Sequence, residues 1–165
     1  MPFNELSNAL FAERQLLELL VFKLDEEQLL LATGRERWLA HATREVEAVL
    51  DQIRRHELVR AVRSSAVATA LGLDADATLR QIATAADGPW QRVLSGHREA
   101  LERLVYEVNA VSDTNRELLG RGQAAAAEAV TRLGVAVDVG SETYSHEGAI
   151  SRSPIAVSGL VNRAL

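Results

Sequence analysis

The sequence predicts an all-α fold, an elongated antiparallel helical hairpin or coiled-coil bundle of three long helices plus one short helix. The main observation is an apolar repeat in residues 90–118 whose steps alternate between four and three. Its members are Trp90, Leu94, His97, Leu101, Leu104, Val108, Val111, Asn115 and Leu118. Such a stripe lies on one face of a helix and requires a partner helix to cover it. Only three prolines occur, Pro2, Pro89 and Pro154, and none interrupts a repeat.

The first two long helices are predicted at about residues 5–33 and 36–71. Asn4 is the expected N-cap of the first helix, and Gly34 stands where a glycine commonly ends a helix. Leucines at 3-4 spacing line the first helix, with Glu13 and Glu27 interrupting them. The short connection forces the two helices to fold back as an antiparallel hairpin, with arms of roughly 45 Å at 1.5 Å per residue.

A short helix is predicted at about residues 75–86, with Asp74 as its cap, and a long helix at about 89–133 that begins with Pro89. Gly120 and Gly122 fall inside this last helix, and two glycines cost about 2 kcal/mol relative to alanines. We therefore expect a kink or a soft joint at the two glycines.

The composition changes after the last long helix, where Gly, Ser and Pro separate short apolar clusters. We expect residues 1–134 to form the helical bundle and residues 135–165 to form a flexible C-terminal tail. A short helix at residues 154–165 would place Val157, Leu160, Val161 and Leu165 on one side.

Composition also limits the function classes. The net charge of −5 argues against nucleic acid as the main partner, and the absence of cysteine excludes disulfides and thiolate chemistry. No apolar stretch reaches 18 residues, so no direct membrane insertion is expected. The N-terminus, MPFNELSNAL, lacks the basic region of a signal peptide. We expect a cytoplasmic protein.

The sequence offers little to support catalysis. No two of the four histidines have metal-ligand spacing, and no glycine cluster follows a strand, so neither a metal nor a cofactor is expected. His97 lies on the apolar stripe, where a packed histidine is the favoured interpretation. A phosphotransfer role would need a basic and a small residue after the histidine, whereas His41 and His97 both have an acid nearby. We expect a protein that is not an enzyme.

Three segments resemble the FlgN-type flagellar export chaperone family. They are the leucine-rich hairpin LLELLVFKLDEEQLLLATGRERWLAHATREVEAVLDQI, the stretch VSDTNRELLGRGQAAAAEAV, and the short segment TYSHEG. The second is similar to an N-x-x-N-x-x-L-L stretch of that family, with Asn109, Asn115, Leu118 and Leu119 in comparable places. The resemblance implies a bacterial cytoplasmic chaperone that binds hook-associated junction proteins and delivers them to the flagellar type III export gate.

These expectations lead to a candidate site in the late helix and tail. Leu118, Leu119, Val130 and Leu133 are predicted to bind the client, because this segment keeps an apolar face after the two glycines. The alternative is that they complete the core. Tyr144 is predicted to dock on the cytoplasmic domain of the export gate, against the alternative of an exposed or lightly packed ring. The alternative function is a self-associating coiled-coil scaffold or regulatory protein without an export client, in which self-association, for example as a homodimer, would cover the same stripe.

Overall fold

The computed structural model describes residues 1–132, and every regular element in that part of the chain is helical. The elements in chain order are helix α1 (Pro2–Ala32), a 3-10 turn (Glu36–Trp38), α2 (Leu39–Ala70), the short helix α3 (Leu79–Ala85) and α4 (Pro89–Arg132). The predicted all-α fold with three long helices and one short helix is therefore confirmed. The predicted tail, residues 135–165 with its helix at 154–165, lies outside the described residues.

Helices α1 and α2 form the predicted antiparallel hairpin. Gly34 ends the first arm with φ 65°, a left-handed conformation that a residue with a side chain adopts only at a cost. Glu5 pairs with Arg63 near the open end of the hairpin, while Thr43 donates to Glu27 near its closed end. These cross-helix pairs place the two arms side by side over most of their length.

Helix α1 begins earlier than the sequence suggested, and Asn4 does not cap it. The helix starts at Pro2, with Met1 in the N-cap position, so Asn4 lies within the first turn. Proline suits this place because its φ is already helical and its missing N–H would have had no partner there. The predicted Asn4 cap is therefore wrong.

The short helix α3 also begins later than predicted, because Thr78 rather than Asp74 caps it. The Thr78 hydroxyl accepts a hydrogen bond from the Gln81 backbone N–H at 3.3 Å. In return, the Gln81 side chain accepts from the Thr78 backbone N–H at 2.8 Å. This reciprocal capping box satisfies two donors that would otherwise have no partner at the helix start. Residues 71–78 connect α2 to α3 at the open end of the hairpin, where α2 ends.

Helix α4 is continuous from Pro89 to Arg132 and passes through Gly120 and Gly122 without interruption. The kink or soft joint expected at the two glycines therefore does not interrupt the helix. Their combined cost of about 2 kcal/mol is offset by alanine, arginine and glutamate residues elsewhere in the helix, which have high helix propensity. A Cβ added to either glycine would meet no atom within 4 Å, so close packing does not explain their presence.

The core lies along α1, which packs against both α2 and α4, while direct contact between α2 and α4 is slight. Five leucines of α1 have no more than a trace of exposed surface: Leu6, Leu10, Leu17, Leu20 and Leu24. They meet Val46, Val49 and Ile53 of α2 and Leu94, Leu101, Leu104 and Val108 of α4. The repeat that predicted the fold is thus the buried face of α4, with Trp90, Val111 and Leu118 only half-buried.

Candidate functional site

Helix α4 runs parallel to α1, and three contacts fix its register. The Phe3 and Trp90 rings stack with their centroids 5.4 Å apart near the start of both helices. Ser7 Oγ lies 3.0 Å from His97 Nε2 one to two turns further along. Near the other end, Asn115 Nδ2 donates to the Leu24 carbonyl oxygen at 2.9 Å. The offset between the paired residues is nearly constant, so the two helices stay in step.

A buried polar cluster joins all three long helices at the closed end of the hairpin. The Asn115 side chain donates to Glu27 Oε2 at 3.2 Å, and Thr43 Oγ1 donates to Glu27 Oε1 at 2.9 Å. All three residues are buried. Buried polar groups need such partners, and a polar residue in a helix seam can fix its register. Asn115 therefore holds the seam together and does not lie at a solvated edge.

Beyond Asn115, the hairpin covers less and less of α4. Leu118 and Leu119 are half-buried, and every residue from Gly120 to Thr131 is exposed. Because Asn115 lies level with Leu24 and Glu27, the end of α1 at Ala32 lies level with residue 121 of α4. Residues 122–132 therefore extend past the hairpin by about 17 Å at 1.5 Å per residue. We call this segment the overhang.

The overhang continues the face that α4 buries against α1. Leu119, Ala126 and Val130 follow Asn115 at steps of four, seven and four, so they lie on nearly the same side of the helix. Val130 is 42% exposed. Within the described part of the chain, this stripe thus passes from the covered seam to solvent at the point where α1 ends.

The structure therefore brings together only part of the predicted site. Leu118 and Leu119 are adjacent at the edge of the bundle, whereas Val130 lies about three turns away on the overhang. Leu133 and Tyr144 lie outside the described residues. Leu118 and Leu119 are half-buried at the edge of the bundle, so their role as client contacts stays a prediction. Val130 does not belong to the core.

A second buried polar group is the pair formed by Glu13 and Arg60. Arg60 Nε lies 2.8 Å from Glu13 Oε2, and both side chains are almost fully buried. Neither Glu13 oxygen is aligned to accept a hydrogen bond from the described residues. Burial raises the pKa of the Glu13 carboxyl, an effect that Arg60 opposes and neighbouring Glu57 reinforces. Glu13 therefore interrupts the leucine stripe in the sequence but lies inside the core.

His97 has the environment of a packing residue. Burial lowers the pKa of its imidazole, and the nearby Arg14 guanidinium lowers it further. The Nε2 atom of His97 is paired with the Ser7 hydroxyl. The nearby charged side chains pair with each other, Arg14 with Glu18 and Arg98 with Glu102. Among residues 1–132, no three His, Asp or Glu side chains are grouped as metal ligands would be. No catalytic residue is assigned.

Sequence reasoning missed an exposed apolar surface on the hairpin. A groove of about 290 Å³ at the closed end is lined by Leu29, Leu30, Trp38 and Ala42, with Glu26, His41 and Glu45 at its rim. Phe11 and Phe22 are exposed further along α1. The 11-residue spacing of these two phenylalanines, which is three helical turns, could have identified this second face.

None of the helices within residues 1–132 has both the length and the apolar character needed to cross a bilayer. The family model described as FlgN protein matches residues 1–152. No curated protein and no solved structure matches the chain. The family match covers most of the sequence, including all of the described bundle and the overhang. The chain therefore belongs to the FlgN protein family, a family of flagellar export chaperones.

Proposed function

We propose that this chain binds hook-associated (hook–filament junction) proteins through helix-in-groove contacts and delivers them to the flagellar type III export apparatus. Its place in the FlgN family supports a flagellar export chaperone role. We propose that it acts in the cytoplasm, by binding alone, without a cofactor and without catalysis. The overhang of α4 carries the proposal, because the seam face of that helix continues beyond the end of α1.

The overhang offers one half of a helix–helix seam. Upstream of Asn115, this face of α4 is covered by leucines of α1. Downstream, Leu119, Ala126 and Val130 present the same side of the helix. A client helix with its own apolar stripe would lie where α1 would lie if it were longer. The surface of α4 that the client would cover consists of small aliphatic side chains. Such side chains allow the two helices to approach closely and can accept several partner sequences.

The client must be a helix that is unpaired before assembly. Terminal helices of junction proteins fit this requirement, since the resemblance implies that the chaperone prevents their premature assembly. Leu133 follows Val130 at a step of three in the sequence and is proposed as a further client contact. Tyr144 is proposed to dock on the cytoplasmic domain of the export gate, because its ring offers a large apolar area and one hydroxyl.

A truncation after Leu118 tests the client site. Asn115 is the last fully buried residue of α4 within the described part of the chain, so this truncation leaves the core intact. The truncated protein should keep its helical circular dichroism spectrum and its melting temperature, and it should lose binding to a purified junction protein in titration calorimetry. Retained affinity in a folded truncation would contradict the assignment of the overhang and tail as the client site.

A further inference from the structure

The groove at the closed end of the hairpin is an apolar site without an occupant among the described residues. Its lining residues come from α1, the 3-10 turn and α2, and none comes from α4. Leu29 is 64% exposed and Trp38 is 50% exposed, although both are large apolar side chains. We call this site the closed-end groove. It is open to a further segment of apolar character.

The rim of the closed-end groove is acidic. Lys23 Nζ lies 2.7 Å from Glu26 Oε2 and 2.8 Å from Glu45 Oε2, so two carboxylates share one ammonium group. His41 Nε2 lies 3.3 Å from the other oxygen of Glu45. With a neutral imidazole, this rim keeps a net negative charge. A suitable occupant therefore offers aliphatic side chains together with basic groups.

Residues 154–165 of this chain, which lie outside the described residues, have that chemistry. Val157, Leu160 and Val161 fall on one side of the helix that the sequence predicts there. The only charged side chains within residues 148–165 are Arg152 and Arg163. A helix of 12 residues is marginal alone in water, and Gly159 costs it about 1 kcal/mol more, so it needs a surface to pack on.

The segment also lies beyond the part of the chain that the family accounts for. The FlgN family model ends at residue 152. Residues 153–165 therefore belong neither to the matched family region nor to the described bundle. A role for them has to come from the chemistry of this chain.

The segment can reach the groove from the end of α4. Because Asn115 lies level with Leu24 and Glu27, the groove residue Leu29 lies level with about residue 119 of α4. The end of α4 at Arg132 is then about 20 Å further along the axis. The 21 residues 133–153 span up to about 70 Å when extended, so the connection is long enough to return. A tether of this length gives an effective concentration on the order of 1 mM, so even a weak contact suffices.

We infer that residues 154–165 dock as a short amphipathic helix in the closed-end groove of the same molecule. Val157, Leu160 and Val161 pack against the apolar lining, which consists of Leu29, Leu30, Trp38 and Ala42. The two arginines of the segment meet the acidic rim. The overhang of α4 stays uncovered in this arrangement, so the inference does not depend on which client the chain binds.

Disulfide formation tests the contact, because the chain has no cysteine of its own. Leu29→Cys combined with Leu160→Cys should form a disulfide within one molecule at least about tenfold faster than Glu117→Cys combined with Leu160→Cys. Glu117 is the matched control, since its side chain is 64% exposed at nearly the same level but lies on α4. Equal rates for the two pairs overturn the inference. Disulfides that link two molecules also overturn it, because the segment of a second copy would then occupy the groove.

Acrylamide quenching of tryptophan fluorescence tests the same contact without cysteines. Leu160→Asp in the full chain should make Trp38 more accessible and increase quenching relative to the wild type. Asn162→Asp adds the same charge on nearly the opposite side of the predicted helix and should quench like the wild type. Trp90 contributes equally to all three proteins, because it stacks on Phe3 at the open end. Equal quenching in Leu160→Asp and the wild type, with unchanged helical circular dichroism, shows that the segment does not cover Trp38.

Discussion

The side-chain amide of Asn115 donates a hydrogen bond to the Leu24 carbonyl oxygen at 2.9 Å, and Asn115 is the last buried residue of α4 in the described part of the chain. Upstream of it, one face of α4 is covered by α1; downstream, Leu118 and Leu119 are half-buried, and every residue from Gly120 to Thr131 is exposed. The same amide reaches Glu27, which Thr43 of α2 also contacts. One polar side chain therefore links three helices and fixes the level at which α4 passes the end of α1.

Asn115→Ala should lower the free energy of unfolding by about 1–3 kcal/mol, because it removes two hydrogen bonds from a buried site. Urea unfolding followed by circular dichroism measures the change. Arg116→Ala is the control, since Arg116 is exposed and its ion pair with Asp113 lies at the surface; its effect should stay within about 0.5 kcal/mol. An Asn115→Ala variant that unfolds together with the wild type would show that this contact does not hold the seam.

The buried pair Glu13–Arg60 predicts strong non-additivity. Glu13→Leu or Arg60→Leu alone should cost about 3–5 kcal/mol, because each leaves a charge without its partner in the core. The double variant Glu13→Leu with Arg60→Leu should match the wild type or exceed its stability by about 1–4 kcal/mol. Urea unfolding of all four proteins gives the coupling energy. Additive losses in the double variant would mean that the two side chains do not interact as described.

The positions of Glu13 and Glu27 show where sequence reasoning reached its limit. The local sequence pattern predicted the hairpin and the buried face of α4. Apolar residues at 3-4 spacing and glycines that end helices are features of single helices, so they can be recognised without knowing the tertiary structure. The pattern treated both glutamates as interruptions, since their partners Arg60, Thr43 and Asn115 come from other helices. The direction of α4, parallel to α1, follows from the number of long helices that precede it. The level at which α4 passes the end of α1 depends on contacts between helices, which the sequence pattern does not give. Val130 was predicted as a client contact, which stays a prediction, and both its exposure and its separation from Leu118 required the structure.

His97 predicts a loss of stability in acid. Burial lowers the pKa of its imidazole below the ordinary value of 6.5, so the unfolded chain binds the proton more readily than the folded protein. This contribution to stability is fully present above pH 6.5 and is lost as the pH falls through the folded pKa. The wild type should lose more stability between about pH 8 and pH 5.5 than His97→Gln does.

Glu13 and Glu57 act in the opposite direction, because burial raises the pKa of each carboxyl and protonation relieves the buried charge. Both are present in wild type and His97→Gln, so their effect cancels when the two pH profiles of urea unfolding are subtracted. Parallel profiles for the two proteins would contradict the role given to His97.

Tyr144→Ala should leave folding and client affinity unchanged while it weakens binding to the export gate and reduces motility. The ring offers a large apolar area and one hydroxyl, which are the properties of an interface anchor. Tyr106→Ala is the control, because Tyr106 is the other tyrosine of the chain and is exposed on α4 away from the overhang. Normal export of junction proteins by Tyr144→Ala would exclude the anchor role, and loss of folding would place Tyr144 in the core.

The most direct test compares Ala126→Asp with Ala124→Asp in titration calorimetry against a junction protein. The two variants make the same chemical change at exposed positions two residues apart, but Ala126 lies on the stripe with Leu119 and Val130, and Ala124 lies on nearly the opposite side of the helix. Ala126→Asp should weaken client binding at least about tenfold, or 1.4 kcal/mol, and Ala124→Asp should bind like the wild type. Equal affinities for the two variants would contradict the claim that the continued seam face of α4 binds the client.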